Sequence, residues 1–552
     1  MKIHFTKILS ILLLVFAACQ PTMQTKELSS ETPFLWENAT VYFLLTDRFV
    51  NADTTNDMPF ERQKDGAILR SFEGGDLAGI TQKIEEGYFN ELGIDAIWFN
   101  PPVEQIHSFT DEGTGKTYGY HGYWARDWTS IDPNFGTMEE LETLVKTAHD
   151  NGIRILLDVV VNHTGPVTDM DSQWPDAWVR TAPKCTYKDD VTTIACTLVQ
   201  NLPDIRTDSN EEVELPQYLL DKWESEGRLE KELAELDEFF ERTGHPRAPR
   251  YYIMKWLTDY VRELGIDGYR VDTAKHTEAS IWAELQRLAS QAFEEWKKQH
   301  PEMVMDDQEF FMLGEVYNYF IGHGRNYPYN DTIKVDFFAN GFNSLINFDL
   351  RSSQGKSPEE IYSRYSDMLN NELDGKSIMS YLSSHDDDHP FDRDRTNNYF
   401  AAKLLMLAPG QVQIYYGDES ARPLSVEGAV GDANLRSLMN WGDQNTKESK
   451  ELMAHWRKLG QFRQSHPAIG AGVHKTLSSQ PFVFSRTFEK DTFRDAVVIA
   501  WDHDGSTIDV SSVFENGTKV RNFYTGEVIT VKDGEVSLED SNGLVLLETY
   551  RQ

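Results

Sequence analysis

The chain has 552 residues, of which 40% are hydrophobic and 26% are charged. This length is enough for roughly two to four domains at ~100–200 residues each, and the composition is typical of a globular protein rather than a disordered or fibrous one. Its 53 basic residues are outnumbered by 89 acidic residues, which gives a net charge of −36. Because a surface this negative repels phosphate backbones, we expect no nucleic-acid partner.

The first residues have the pattern of an export signal. Two lysines precede an apolar run over 8–18, which is too short to span a bilayer. The run ends in FAAC, which is similar to a bacterial lipobox in which Cys19 is lipidated after cleavage, although Phe16 stands where leucine is usual. We therefore predict a signal peptide over 1–18, a polar tether over 19–35 and a lipid on Cys19. Cleavage without lipidation is the alternative.

Export changes the interpretation of the other two cysteines. Cys185 and Cys196 lie eleven positions apart in a loop-like segment and would meet an oxidising compartment. In that setting a disulfide is favoured over two free thiols. We expect an exported monomer, in the periplasm or at the cell surface, whose only membrane contact is its lipid anchor.

A repeating unit of amphipathic helix, glycine and short apolar strand runs through the middle of the chain. Apolar strands that alternate with helices indicate a parallel sheet buried on both faces, and eight such units favour a closed (β/α)8 barrel. The segments that contain the predicted strands are 41–49, 91–102, 150–163, 263–276, 310–316, 334–340, 377–386 and 411–419.

Two stretches interrupt this repeat. Residues 164–250 contain no barrel unit, which predicts a subdomain that protrudes after the third strand. Residues 446–552 contain one helix and then short strands separated by turn sequences, which predicts a C-terminal antiparallel β-domain. The barrel itself is then expected over 36–163 and 251–445.

Three carboxylates follow predicted barrel strands. Barrel enzymes place their catalytic groups at the carboxyl ends of the strands, so Asp272, Glu315 and Asp386 should meet at one mouth. Glycoside hydrolysis needs one carboxylate as nucleophile and one carboxylic acid that protonates the leaving oxygen. Arg270 lies two positions before Asp272, on the same face of the strand, where it can keep that carboxylate ionised.

The segments around these acids resemble the signature regions of the α-amylase family of retaining glycosidases. The matching segments are GGDLAGI (74–80), DVVVNH (158–163), LPDI (202–205), GYRVDTAKH (268–276), LGEV (313–316) and SSHD (383–386). The resemblance extends over about 36–552, and the long acidic insert resembles that of bacterial periplasmic members. It implies that Asp272 is the nucleophile, that Glu315 is the acid and base, and that Asp386 holds a distorted sugar.

The resemblance also implies a set of sugar-binding residues. Tyr123 matches the ring that stacks below the cleaved sugar, an arrangement that favours a positively charging ring. Ser384 differs from the asparagine of many relatives, which bears on substrate preference and not on the reaction. The other implied substrate contacts are His121, His163 and His385 around the same sugar, Arg270 beside the nucleophile, and Lys275 and His276 on the leaving-group side.

Two calcium sites are expected, since Ca²⁺ takes hard oxygen ligands. By resemblance, Asn162, Asp204 and the carbonyl of His276 would bind one ion that ties the subdomain to the barrel. The second site resembles the N-terminal calcium loop of cyclodextrin-forming relatives, and a polar turn without metal is the alternative. Its ligands would be Asn51, Asp53, Asn56, Asp57, the carbonyl of Gly74 and Asp76. We expect Asp387 and Asp388 to be solvated and not to bind metal.

The expected function is endo-hydrolysis of α-1,4-glucosidic bonds in an α-glucan or malto-oligosaccharide. A transglycosylase that passes the sugar to another sugar, and that forms cyclodextrins or oligosaccharides, is the first alternative. Thr277 and Glu278 stand where cyclodextrin-forming relatives carry aromatic residues, which favours water as the acceptor. The remaining alternative functions are an exo-acting α-glucosidase and a non-catalytic sugar-binding protein.

Overall fold

The computed structural model describes residues 32–538 and 543–551 and contains a closed barrel of eight parallel strands. The predicted signal peptide and Cys19 lie outside these residues. Neighbouring strands follow chain order, and the first strand closes the ring by pairing with both the second and the eighth. The predicted barrel is therefore confirmed. Its strands are β1 (Thr40–Leu44), β2 (Ala96–Phe99), β3 (Arg154–Val159), β4 (Gly268–Val271), β5 (Phe311–Gly314), β6 (Ser344–Asn347), β7 (Ser377–Ser380) and β8 (Gln411–Tyr415).

The prediction of a barrel strand at 334–340 is wrong. Lys334–Val335 pairs antiparallel with Tyr327–Pro328, and Phe338–Asn340 is a turn of 3-10 helix. The sixth barrel strand is β6, a four-residue segment with a serine at one end and an asparagine at the other. Asparagine and serine interrupt the apolar residues around β6 (GFNSLIN, 341–347), whereas the preceding VDFFA (335–339) contains four apolar residues and resembles a buried strand.

Helices surround the barrel and begin and end where local sequence favours it. Thr137 and Glu140 form a capping box at the start of Met138–Asp150. Pro249–Leu264 begins with proline and ends at Gly265, whose φ of 76° is left-handed. The other outer helices are Leu77–Glu85, Ala279–Gln299, Pro358–Asn370, Asn398–Met406 and Lys447–Ser465, and short helices cover Thr46–Phe49, Tyr88–Glu91 and Ala468–Ala471.

The segment between β3 and the helix Pro249–Leu264 carries short strands and three helices. Its strands Val179–Arg180 and Asp204–Ile205 pair antiparallel, and its helices are Val191–Ile194, Gln217–Ser225 and Leu229–Thr243. The predicted disulfide joins Cys185 to Cys196. We call residues 185–196 the disulfide loop.

A six-stranded antiparallel sheet follows the barrel, as predicted. Its strands are β9 (Val473–Ser479), β10 (Phe482–Lys490), β11 (Phe493–Ala500), β12 (Lys519–Asn522), β13 (Val528–Thr530) and β14 (Val545–Thr549), in the order β9-β10-β11-β14-β12-β13. The helix Lys447–Ser465, which precedes this sheet, packs on the barrel, and Gly460 lies against the backbone of Leu92 and Gly93. Within 32–538 and 543–551, no helix combines the length and apolarity needed to cross a bilayer.

Candidate active site

Arg270 joins the acidic side chains at the carboxyl ends of the strands. Its Nη1 donates to Asp272 Oδ1 at 2.8 Å and to Asp158 Oδ1 at 2.9 Å, and its Nη2 lies 3.1 Å from Glu315 Oε2. Asp158 Oδ2 also accepts from Tyr123 OH at 2.8 Å. The buried guanidinium therefore fixes carboxylates from β3 and from the ends of β4 and β5 in one cluster, as the sequence predicted for Asp272 and Glu315.

Burial and neighbouring charge give these acids unusual protonation behaviour. Burial, opposed by Arg270 and reinforced by Asp158, raises the pKa of Asp272 to about 6. Burial, opposed by Arg270 and reinforced by Asp272 and Asp386, raises the pKa of Glu315 to about 7. Near neutral pH, Asp272 is then mainly ionised while Glu315 keeps a large protonated fraction.

A backbone amide also orients Glu315. Thr273 N donates to Glu315 Oε2 at 2.9 Å, and Thr273 has a left-handed φ of 48°. Few residues other than glycine adopt this conformation without cost, and such strain is concentrated at functional sites. The sequence contains no glycine or asparagine here that would have predicted this turn.

Asp386 is the most exposed of the three acids, with 43% of its side chain accessible against 8% for Asp272 and 12% for Glu315. Its Oδ2 is 2.8 Å from His385 Nε2, and its Oδ1 accepts from Arg436 Nη2 at 2.7 Å. Although burial opposes ionisation, His385 and Arg436 hold the pKa of this carboxyl well below its ordinary value. Arg436 was missed by the sequence analysis because it lies far from the signature segments, in the 3-10 helix Gly431–Arg436 after β8.

The residues expected to surround one sugar are brought together. The rings of Tyr123 and His385 stack with centroids 5.2 Å apart and an angle of 13°. His121 Nδ1 accepts from Tyr123 N at 3.1 Å, and His163 Nε2 lies 3.1 Å from the carbonyl of Tyr123. Burial lowers the pKa of His163 to about 4 and that of His121 well below its ordinary value, so both are neutral at neutral pH.

Lys275 and His276 form a short 3-10 turn after β4. Lys275 Nζ donates to the carbonyl of Tyr317 at 3.3 Å. His276 Nδ1 lies 3.0 Å from the carbonyl of Thr193, which can only accept, so this nitrogen carries the hydrogen. Burial lowers the pKa of His276 to about 4, so its ring is neutral at neutral pH.

Asn162 and Asp204, expected at the first calcium site, lie on adjacent backbone segments. Ile205 N donates to the carbonyl of Asn162 at 2.8 Å, and both side chains are buried. Asp204 Oδ2 lies 3.0 Å from Arg180 Nε. Burial, opposed by Arg180, raises the pKa of Asp204 to about 8.

The six residues expected at the second calcium site form one neighbourhood. Asn51 Nδ2 donates to Asp57 Oδ1 at 2.8 Å, and both side chains lie against Gly74, where a Cβ would collide with them. Asn56 Oδ1 is a buried acceptor with no hydrogen-bond donor among the described residues. The carboxylate of Asp53 accepts from Thr55 N at 2.9 Å, and that of Asp76 accepts from the backbone N of Ala52, Asp53 and Gly79 at 2.9, 2.8 and 2.6 Å.

The expectation that Asp387 is solvated is wrong. Asp387 is 4% exposed, and its Oδ2 lies 3.0 Å from Arg351 Nε and accepts from Tyr381 OH. The charge of Asp387 is neutralised by an arginine from another loop, which the local sequence does not indicate. Asp388 is exposed, as expected.

Across 32–538 and 543–551, no group of three or more histidine, cysteine, aspartate or glutamate residues could hold a metal ion, so amide or carbonyl oxygens would have to complete either calcium site.

The sequence and the fold match known proteins over most of the chain. The model of the "Alpha amylase, catalytic domain" family matches residues 43–426. The chain is 36% identical over 537 residues to a periplasmic alpha-amylase of Escherichia coli (strain K12), a match that covers 87% of this chain and 74% of that protein. It is 24% identical over 534 residues to a cyclomaltodextrin glucanotransferase of Geobacillus stearothermophilus, covering 92% of this chain and 65% of that enzyme.

Solved structures show the same fold. An Anoxybacillus α-amylase superposes with a TM-score of 0.65 at 23% identity, covering 94% of this chain and 100% of that chain. An α-amylase from Geobacillus thermoleovorans superposes with a TM-score of 0.65 at 22% identity, with the same coverage of 94% and 100%. The family model matches well over half of the chain and includes β2 to β8, Asp272, Glu315 and Asp386. The chain belongs to the α-amylase family.

Proposed function

We propose that this protein is an α-amylase that hydrolyses internal α-1,4-glucosidic bonds of starch-derived polysaccharides and malto-oligosaccharides with retention of configuration. The observation that carries the proposal is the arrangement of Asp272, Glu315 and Asp386 around Arg270, in which two carboxyl pKa values are raised and one is lowered. The name of the Escherichia coli relative, a periplasmic alpha-amylase, supports this activity.

The reaction would proceed by two displacements. Ionised Asp272 attacks the anomeric carbon while Glu315 gives its proton to the glycosidic oxygen, so that the carbon–oxygen bond breaks and a glycosyl ester forms. Glu315, now a carboxylate, takes a proton from water, whose oxygen attacks the same carbon and releases Asp272. Two inversions give net retention. The protonation states required at the start are the ones that the environment of each acid favours near neutral pH.

The remaining cluster residues would bind the sugar whose bond is cleaved. Tyr123 would lie under the ring, where its face stabilises the positive charge that develops at the anomeric carbon. Asp386 stays ionised and would accept hydrogen bonds from sugar hydroxyls, while His121, His163 and His385 would bond the same ring. These contacts would hold the sugar in a distorted conformation before its glycosidic bond breaks.

We also propose that the protein binds calcium at the two predicted sites. At the second site the oxygen ligands fit the ion, because Asn56 Oδ1 is a buried acceptor without a donor among the described residues, and the absence of a Cβ at Gly74 lets Asp57 approach that backbone. At the first site the side chains of Asp204 and Asn162 are buried on adjacent backbone segments, and the carbonyl of His276 would add a third oxygen. At each site these residues would hold the ion, which would restrain the loops that carry them.

Export and anchoring are proposed from the amino terminus. The signal over 1–18 and the lipid on Cys19 would place the enzyme in the periplasm or at the cell surface as a membrane-anchored monomer. The periplasmic relative and the disulfide agree with export. We propose 164–250 as the protruding subdomain and 446–552 as the C-terminal domain.

The products formed from maltoheptaose test the proposed activity. The mature chain in calcium-containing buffer should first release oligosaccharides of intermediate length, and Glu315→Gln should abolish this release. Longer or cyclic products would identify a transglycosylase, and glucose as the sole early product would identify an exo-acting α-glucosidase. Binding without turnover would identify a sugar-binding protein.

A further inference from the structure

The turn that carries Lys275 and His276 is attached to the acid/base side of the cleft. Thr273 N donates to Glu315 Oε2 at 2.9 Å, and Ala274 N donates to the backbone carbonyl of Glu315 at 2.9 Å. Tyr123 instead stacks on the ring of His385, the neighbour of Asp386. Because Glu315 protonates the leaving oxygen in the proposed reaction, the turn 273–276 lies where the leaving sugar must sit.

This turn is held from outside the barrel by two segments that contact each other. The carbonyl of Thr193, in the disulfide loop, accepts from His276 Nδ1 at 3.0 Å. Tyr329 OH donates to the carbonyl of Lys275 at 2.6 Å, and its neighbour Asn330 Nδ2 donates to the carbonyl of Lys188 in the disulfide loop at 3.3 Å. The disulfide loop therefore contacts the turn directly and also supports the second segment that holds it.

Little apolar burial holds the disulfide loop itself. Val191 is 67% exposed and Tyr187 is 52% exposed, while the cysteines and Thr193 are buried. Hydrogen bonds cross the base of the loop, from Cys185 N to the carbonyl of Thr197 at 3.0 Å. Inside the loop, Thr186 N donates to the carbonyl of Thr192 at 3.1 Å and Thr193 N donates to the carbonyl of Asp190 at 3.0 Å. With so small an apolar core, the covalent bridge and these hydrogen bonds together restrain where the carbonyl of Thr193 lies.

We propose that the Cys185–Cys196 bridge positions His276 on the leaving-group side of the cleft and thereby makes cleavage of sugar–sugar bonds dependent on the redox state of the bridge. This inference rests on the proposed function. In the oxidised enzyme the carbonyl of Thr193 fixes the ring of His276. The Nε2 of this ring has no hydrogen-bond partner among the described residues and would bind a hydroxyl of the leaving sugar. Reduction to two thiols, with oxidation of a dithiol reagent to its cyclic disulfide, frees the loop and His276.

The effect of reducing the bridge on cleavage should depend on the leaving group of the substrate. A substrate whose leaving group is a sugar needs the side of the cleft that His276 lines. A substrate whose leaving group is fluoride places nothing there, so its attack by Asp272 is independent of the loop. A bridge with a general structural role would instead affect both substrates equally.

The experiment compares maltopentaose with α-maltosyl fluoride. The values of kcat/KM, which report the steps up to formation of the glycosyl-enzyme, are measured for the oxidised enzyme, the dithiothreitol-reduced enzyme and Cys185→Ser/Cys196→Ser. We expect reduction or the double substitution to lower kcat/KM at least tenfold for maltopentaose and less than twofold for α-maltosyl fluoride. Dithiothreitol should not affect the double-serine variant. Tyr399 lies outside the loop and is 49% exposed, similar to Tyr187 in the loop, so Tyr399→Ala controls for a change at the surface.

A second comparison tests whether the bridge acts through His276. His276→Ala should lower kcat/KM for maltopentaose, and reduction of that variant should cause no further loss. Equal losses on both substrates, no loss on either, or full additivity of reduction and His276→Ala would overturn the inference. If the oxidised wild-type enzyme turns over neither substrate, the proposed function fails rather than the role of the bridge.

Discussion

The buried carboxylate of Asp272 should cost the folded protein stability at neutral pH. Its pKa in the fold is about 6, against an ordinary value of 3.8. That difference corresponds to about 3 kcal/mol between the two protonation states. Since the folded pKa is raised, the favourable contribution of the neutral acid is present at low pH and is lost as pH rises through 6.

Asp272→Asn keeps the side chain neutral at every pH and should remove this cost. Relative to wild type, the free energy of unfolding of the variant should increase between pH 5 and pH 8 by on the order of 1 kcal/mol, which is the part of the difference that titrates in this interval. Urea unfolding followed by tryptophan fluorescence at both pH values, in calcium-containing buffer, measures it.

Asp386→Asn is the matched control, because this substitution should change the free energy of unfolding in the opposite direction. Because the pKa of Asp386 is held below its ordinary value, its ionised form stabilises the fold, and the variant should be less stable than wild type at both pH values. A stability difference for Asp272→Asn that stays constant or shrinks between pH 5 and pH 8 would refute the argument that burial makes this nucleophile costly.

Three further predictions follow from the same cluster and from the calcium sites. The pH profile of kcat/KM should be bell-shaped, falling below about pH 6 as Asp272 is protonated and above about pH 7 as Glu315 is ionised; a flat profile across pH 5–8 would contradict these roles. Arg436→Gln removes the donor to Asp386 and should lower kcat/KM on the order of 100-fold while leaving the far-ultraviolet circular dichroism unchanged. A loss of kcat/KM below twofold would show that Asp386 does not need this hydrogen bond. Calcium chelation should lower the midpoint of thermal unfolding in the wild-type protein and by a smaller amount in Asp57→Ala, whereas an unchanged midpoint in both would leave the site without a metal.

The barrel could be predicted because seven of its strands lie in apolar segments, and five of them (β2, β3, β4, β7 and β8) follow a helix and a glycine. The sixth could not, since β6 follows a hairpin and a 3-10 turn instead of a long helix. The error at 334–340 arose because Val335 and the two phenylalanines after it imitate a buried strand, although the chain there forms a small antiparallel pair and a turn.

The candidate site was predictable where its residues come from the signature segments. The convergence of Asp272 and Glu315 followed from strand ends in a barrel, and the role of Arg270 from its position two residues before Asp272. Arg436 and Arg351 were not predictable, because each reaches its carboxylate from a remote loop and only the folded chain brings them together. The same reason explains why Asp387 was wrongly expected to be solvated.

The anomeric configuration of the first product tests the central claim most directly. Proton NMR of a maltopentaose digest, recorded before mutarotation, should show the α-anomer of the newly formed reducing end, and Asp272→Asn should give no product. Release of the β-anomer, or undiminished turnover by Asp272→Asn, would contradict the proposed double displacement through Asp272.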